Sequence, residues 1–207
     1  MTDQKLDAQV EVLELPPSGR VDYWPTVLES GESLRLLGKL EAELCWQQLP
    51  VQLFGRSIPQ PRLTAFYGDA GVRYRYSGLT LDARGWTPEL QQISQVITQY
   101  CGRRFNSVLC NLYRDGNDYM GWHADDEAEL GPNPAIASVS FGAARRFVLK
   151  PREGSSERRE FLLSSGSLLV MSGDLQRHWL HQLPKARRVK GTRINLTFRQ
   201  IISPKPL

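Results

Sequence analysis

The chain has 207 residues, 41% of them hydrophobic and 23% charged, which suits a globular domain long enough to bury a core. No apolar run approaches the ~20 residues of a membrane span, and the N-terminus lacks the basic start and apolar stretch of a signal peptide, so neither is expected. The net charge is +4, yet Ser140 to Arg199 holds thirteen Lys or Arg against four Asp or Glu, so this face reads either as a site for a polyanion such as nucleic acid or as a solvated basic surface.

Residues 1–28 read as a polar N-terminal arm with a turn at Pro16-Pro17-Ser18-Gly19, and residues 29–207 as the domain proper. Ser33 to Trp46 is predicted helical. Leu34, Leu37, Leu40 and Leu44 recur at helical spacing, and Ser30 or Ser33 can cap the start. Cys45, Cys101 and Cys110 are odd in number and form no Cys-x-x-Cys, which points to a reducing compartment without a disulfide framework. Pro50 to Arg56 leads into turns at Pro59-Gln60-Pro61 and at Tyr67 to Gly71. Val72 to Tyr76 alternates as a strand, with Val72, Tyr74 and Tyr76 on one face and Arg73 and Arg75 on the other. The tyrosines fit either a core or a flat wall for a stacked base.

Thr87-Pro88-Glu89 starts a second helix, with a capping hydroxyl and proline at the first helical position. Leu90, Ile93, Val96, Ile97 and Tyr100 form its buried stripe. Short strands follow at Ser107–Tyr113, Ala135–Phe141, Arg146–Lys150, Glu160–Leu163, Ser167–Met171 and Arg193–Ile201. The series predicts an α+β chain whose functional half is a β sandwich or jelly roll.

All three histidines fall in two places: His123 in His123-Ala124-Asp125-Asp126-Glu127, and His178 and His181 in His178-Trp179-Leu180-His181. Extended backbone projects residues i and i+2 to one side, so His123 and Asp125 can share a metal. Two histidines and one carboxylate are the ligand set of non-haem Fe(II) oxygenases. The competing reading is a solvated loop with exposed carboxylates. In Arg193 to Arg199 the alternation is complete: Arg193, Asn195, Thr197 and Arg199 share one face, and Ile194, Leu196 and Phe198 the other. The two guanidinium groups stand roughly 20 Å apart along the strand, and each can clamp a carboxylate in bidentate fashion. Asn111 and Tyr113 also share one face.

Together these motifs, with Ile136 to Gly142, Gly166 to Met171 and His181-Gln182-Leu183-Pro184, resemble the AlkB family of Fe(II)/2-oxoglutarate-dependent nucleic-acid demethylases. The likeness spans about Val51 to Ile201 and is strongest to the branch that repairs alkylated duplex DNA. It implies a double-stranded β-helix (jelly-roll) core with N-terminal helices packed on one sheet. It implies iron held by His123, Asp125 and His181, with His178 packing nearby. Arg193 would hold the distal carboxylate of 2-oxoglutarate and Arg199 its metal-bound end. Asn111, Tyr113, Asn195 and Thr197 would complete that pocket.

By the same resemblance, residues of about 50–80 form a nucleotide-recognition lid. Tyr74 and Tyr76 would stack on the target base, and Asp126 with Glu127 would contact it. Phe54 and Gly55 would form a finger that fills the gap left by a flipped base, although Phe54 also reads as a core residue. Arg56 and Arg62 would meet backbone phosphates. The implied reaction removes methyl groups from N1-methyladenine and N3-methylcytosine, using O2 and 2-oxoglutarate and releasing formaldehyde, succinate and CO2. The expected partner is methylated DNA, duplex first, with single-stranded DNA or RNA as the other candidates. A monomer is expected, in the cytoplasm of a bacterium or the nucleus of a eukaryote. Two alternatives keep the scaffold: a hydroxylase acting on RNA or protein, and a non-catalytic lesion-binding module. Ala124 departs from the family pattern, which often has a bulkier residue there, and residues 1–28 carry no recognisable partner-docking motif.

Overall fold

The structure, a computed structural model, describes residues 9–53, 56–76 and 79–202. It opens with β1 (Glu11–Leu15), β2 (Gly19–Trp24) and helix α1 (Ser30–Glu43). Five short strands follow: β3 (Pro50–Leu53), β4 (Arg56–Pro59), β5 (Leu63–Gly68), β6 (Arg73–Tyr76) and β7 (Leu79–Asp82). After α2 (Pro88–Cys101) come β8 (Ser107–Tyr113), β9 (Met120–His123), β10 (Ile136–Gly142), β11 (Arg145–Pro151), β12 (Arg159–Leu163) and β13 (Leu168–Gly173). A single helical turn, α3 (Leu175–His178), runs straight into β14 (Trp179–Leu183), and β15 (Arg193–Arg199) closes the fold.

Two antiparallel sheets face each other. The larger has the order β1-β2-β13-β10-β15-β8-β5 and the smaller β12-β11-β14-β9, while β3–β4 and β6–β7 stand as separate hairpins. This is the α+β jelly roll that the sequence implied. Every residue of β8 and of β15 is buried, because each strand is covered on both faces. Ile194, Leu196 and Phe198 join Val108, Cys110 and Leu112 in a core closed by α1 and α2. The opposite face of the larger sheet meets the smaller one, where Leu109, Phe147, Leu149 and Trp179 pack together.

Helix α2 starts where its sequence places it. The Thr87 side chain accepts the Leu90 N–H at 3.3 Å, Pro88 occupies the first turn, and Gly102 ends the helix in the left-handed region at φ 65°. Helix α1 departs from expectation in phase and in its cap. Leu36, Leu40 and Leu44 face the core and Leu37 packs beside them, while Leu34 is 70% exposed. Glu29 precedes the helix without a side-chain cap, and the Ser33 hydroxyl donates to the Leu28 carbonyl instead. Four leucines spaced by three or four residues fit two adjacent faces of a helix, and only packing on β10 and β15 chooses between them.

The segment read as an N-terminal arm is a correction. Residues 11–24 form a hairpin whose second strand pairs with β13 from Gly19↔Gly173 to Trp24↔Leu168. Leu15, Val21 and Tyr23 turn into the space between the sheets, and Glu14, Arg20 and Asp22 form ion pairs outside. These three charged residues lie on its outer face, opposite Leu15, Val21 and Tyr23. The hairpin turn is seated on α3: Asp174 N–H donates to the Ser18 carbonyl at 3.1 Å, the Ser18 hydroxyl to Asp174 Oδ2 at 2.5 Å, and the Trp179 indole to the Pro16 carbonyl at 2.8 Å.

Gly173 makes that seating possible. It sits at φ +64°, and a Cβ there would lie 2.1 Å from the Ser18 carbonyl oxygen. Gly173→Ala is therefore expected to lower unfolding free energy by about 2–4 kcal/mol, the sum of left-handed strain and a backbone clash. Urea unfolding should show a lower midpoint with an unchanged slope.

Candidate metal centre

Strands β9 and β14 pair so that His123 lies directly opposite His181, with a register shift between His181 and Leu183. Their ring centroids are 4.1 Å apart. Asp125, two residues past His123 on extended chain, points into the same space, and one ligand atom from each residue lies within 4.8 Å of the others. On β14, Trp179, His181 and Leu183 turn inward and Leu180 and Gln182 outward. His178 ends α3 and lines a separate groove with Pro16 and Pro17.

The charge states suit a divalent cation. Burial pushes the Asp125 carboxyl up, but the Arg199 guanidinium, donating to Oδ1 at 2.7 Å, and the two imidazoles bring it down to about 2. Burial lowers His123, and it lowers His181 to about 3, so both rings are neutral and carry a free lone pair. His123 Nδ1 faces the Gly121 carbonyl at 2.8 Å, which requires the proton on Nδ1 and leaves Nε2 as the ligand atom. One ionised carboxylate and two neutral imidazoles fit a ferrous ion with open positions beside them. Gln176 Oε1 accepts the Asp125 N–H at 2.9 Å.

Beyond the triad the cavity runs along the polar face of β15, lined by Arg193, Asn195, Thr197 and Arg199 with Asn111 and Tyr113 of β8. Asn195 donates to Ser138 Oγ at 2.8 Å and to the Val139 carbonyl at 3.0 Å, and Thr197 Oγ1 donates to Asn195 Oδ1 at 3.1 Å. Arg193 donates to Ser140 Oγ at 3.0 Å and lies 5.3 Å from the Tyr113 ring, on which Arg145 also sits at 5.8 Å. Burial lowers Arg193 to about 10, still charged at neutral pH. Arg199 is held above its ordinary value: Asp125, Tyr74 and Glu127 outweigh the burial that opposes its charge. The Nε of Arg193 and the Nε and Nη1 of Arg199 are buried without hydrogen-bond partners among the described residues. Two cations with spare donors, one at each end of a narrow cavity, fit a dicarboxylate.

The lid-side residues divide. Tyr74 is fully buried against Phe66, with the Arg199 guanidinium 5.3 Å from its ring, so it packs behind Arg199 and is not an open stacking platform. Burial raises Glu127, and the nearby Asp125 charge adds to that. Asp126 faces outward and is paired with Arg152. Arg62 is a correction: at 3% exposure, with Nε donating to Asn111 Oδ1 at 2.8 Å, it lines the cavity and cannot meet a phosphate on the surface. Phe54 and Gly55 lie outside the described residues, as do the side chains of Arg56 and Tyr76.

Sequence reasoning missed four contributors. Ser138 and Ser140 were visible as the polar half of the alternation in β10. Arg145 was hidden inside a basic run: Arg146 is exposed, whereas Arg145 is 1% exposed and donates to the carbonyls of Asp115, Asp118 and Pro184. Gln176 left no signal, because its partner is a backbone N–H from 51 residues away.

The family model described as 2OG-Fe(II) oxygenase superfamily matches residues 20–199. DNA oxidative demethylase ALKBH2 of Homo sapiens is 43% identical over 189 residues, 82% of this chain and 72% of that protein. The Mus musculus ALKBH2 is 41% identical over 189 residues, 82% of this chain and 79% of that protein. Alpha-ketoglutarate-dependent dioxygenase alkB homolog 3 of Homo sapiens is 38% identical over 200 residues, 91% of this chain and 69% of that protein. A solved structure described as "The structure of OsALKBH1" superposes with a TM-score of 0.65 at 14% identity, over 92% of this chain and 100% of that one, a likeness of fold.

The buried pair generates a test on metal-free protein. The folded Asp125 pKa of about 2 lies below the usual carboxylate value, so its contribution to stability is complete above about pH 4–5 and is lost as pH falls toward 2. Asp125→Ala leaves Arg199 buried without its carboxylate and is expected to cost about 3–5 kcal/mol at pH 7. The gap between wild type and variant should narrow at pH 3 in urea titrations.

Proposed function

The chain belongs to the AlkB family within the 2OG-Fe(II) oxygenase superfamily, and from that premise we propose that it removes methyl groups oxidatively from alkylated DNA bases. The observation that carries this reading is the His123, Asp125 and His181 cluster set beside two buried arginines with spare donors. Its relatives named DNA oxidative demethylase support DNA as the substrate. Base–CH3, O2 and 2-oxoglutarate go in; base–H, formaldehyde, succinate and CO2 come out. When bound, Fe(II) with 2-oxoglutarate supplies the activation of O2 that oxidises the methyl carbon.

The protein's own residues bind, orient and exclude. Asp125 and the two neutral imidazoles hold the metal. Arg193, with Ser140 and Tyr113 beside it, would hold the far carboxylate of 2-oxoglutarate, and Asn111 would offer it an amide N–H, while Asn195 and Thr197, whose donors are engaged with Ser138, Val139 and each other, would shape the wall beside it. Arg199 has two tasks: it keeps Asp125 ionised and offers its spare donors to the near end. Tyr74 and Phe66 close the wall behind Arg199 and keep water from it.

The substrates proposed are N1-methyladenine and N3-methylcytosine. Both carry positive charge, which a nearby carboxylate favours over a neutral base; Glu127 would supply it, and Asp126 would do so on exchanging its Arg152 partner for the base. Duplex DNA is the preferred form, with the Phe54-Gly55 finger filling the vacated stack and Arg56 meeting phosphate; Tyr76 would stack on the base. The chain acts as a monomer.

Purified protein with Fe(II), 2-oxoglutarate and methylated duplex oligonucleotide should yield formaldehyde and succinate in step with repaired base, and none with unmodified duplex. Equal turnover on methylated RNA or on a peptide, or tight lesion binding without product, would overturn the proposal. Asp125→Ala should cut kcat/KM at least about 1,000-fold. Phe54→Ala should lower repair of duplex about 10-fold while single-strand repair changes less than about 3-fold, a split that comes from the work of flipping a paired base.

A further inference from the structure

The three candidate ligands are not supported alike. His123 lies on a strand and is fixed by the Gly121 carbonyl, and His181 lies on β14, opposite it. Asp125 lies beyond the last residue of β9, where no strand among the described residues pairs with its backbone. Its N–H is nonetheless satisfied, by the Gln176 side-chain oxygen at 2.9 Å. Gln176 is 2% exposed and its Nε2 points to the sulfur of Met171 at 3.5 Å, so its rotamer is fixed by packing. Its own carbonyl accepts from Arg152 at 3.1 Å, and Arg152 pairs with Asp126. Residues 125 and 126 are thus both tied to one residue of α3.

That turn is itself anchored, through Asp174 and Ser18, to the N-terminal hairpin. Five residues after Gln176 the same segment delivers His181. One short stretch of chain therefore carries one ligand and orients another that is remote in sequence.

We propose that Gln176 is a positioning residue for Asp125. It touches neither metal nor substrate, and it acts by fixing the backbone from which the carboxylate projects. Arg199 fixes the carboxylate at Oδ1; Gln176 fixes the other end of the same residue. With the amide removed, the Asp125 N–H is buried without a partner, and the loop turns toward solvent to recover one. The carboxylate then divides its time between the ligand position and others, and metal affinity falls by the fraction lost. The inference rests on the metal assignment proposed above.

The test measures Co(II) binding to metal-free protein by calorimetry, in wild type, Gln176→Met and Asp125→Ala. Gln176→Met keeps length and bulk but has no oxygen to offer, and is expected to weaken Co(II) about 10–100-fold. In turnover the iron requirement should rise by the same factor, while kcat at saturating iron and KM for the oligonucleotide stay within about 3-fold of wild type. A merely structural role would lower the melting temperature and the active fraction but leave Co(II) affinity of the folded protein unchanged, and that result overturns the proposal. If Asp125→Ala binds Co(II) like wild type, the metal assignment fails instead. Should Gln176→Met not fold, Gln176→Asn, whose amide falls one methylene short, is expected to weaken Co(II) about 5-fold, and wild-type affinity there counts against the proposal.

Discussion

A buried ion pair, Arg199 with Asp125, joins the two sheets at the point where the chemistry is placed. Arg199 comes from the end of an interior strand of the larger sheet, and Asp125 from the chain just past the edge strand of the smaller one. Such a pair gives up the hydration of two charges, and a hydrophobic substitute of equal volume often stabilises a fold as well or better. Its presence is explained by what an apolar pair could not do: keep a carboxylate ionised in a dry cavity, facing two uncharged imidazoles. The pair also sets a direction. Arg199 holds one oxygen of Asp125 and still has buried N–H groups to give away, so the same cation serves the metal ligand and whatever lies beside it.

The cavity is polar along one wall because β15 alternates. Its even positions, Ile194, Leu196 and Phe198, are locked under the helices. A register slip of one residue would drive both arginines into that core, so hydrophobic burial on one side fixes the placement of charge on the other. With Arg145 close to Arg193, the far end of the cavity carries more positive than negative charge. A dianion entering there relieves repulsion already present in the protein.

The parts of this arrangement that were legible in the sequence are those fixed by local periodicity. The i, i+2 relation brought His123 and Asp125 to one side, the alternation of β15 assigned all seven of its residues to a face, and Thr87-Pro88 marked the start of α2. What stayed hidden depended on partners distant in the chain. The outer charges of β1 and β2 disguised a hairpin whose inner face is apolar. Arg145 and Arg146 are adjacent and alike in composition, and only the strand's pleat separates a buried clamp from a solvated charge. Arg62, read as a phosphate contact, is drawn inside by Asn111. The leucines of α1 offered two faces, and the sheet beneath selected one.

The position of β15 in its sheet bears on how this protein comes into being. The strand is flanked by β10 and β8 yet follows every other described strand in chain order, so it is synthesised after both of its neighbours. Until residue 199 has left the exit tunnel, β8 and β10 have an open lane between them, and Asp125 has no guanidinium to face. A nascent or prematurely terminated chain thus lacks an interior strand of its larger sheet and presents the unpaired edges of β8 and β10 to other chains. Such a fragment would carry His123, Asp125 and His181 without the guanidinium that holds Asp125 ionised, so the candidate ligand set is completed electrostatically only when the final described strand is in place.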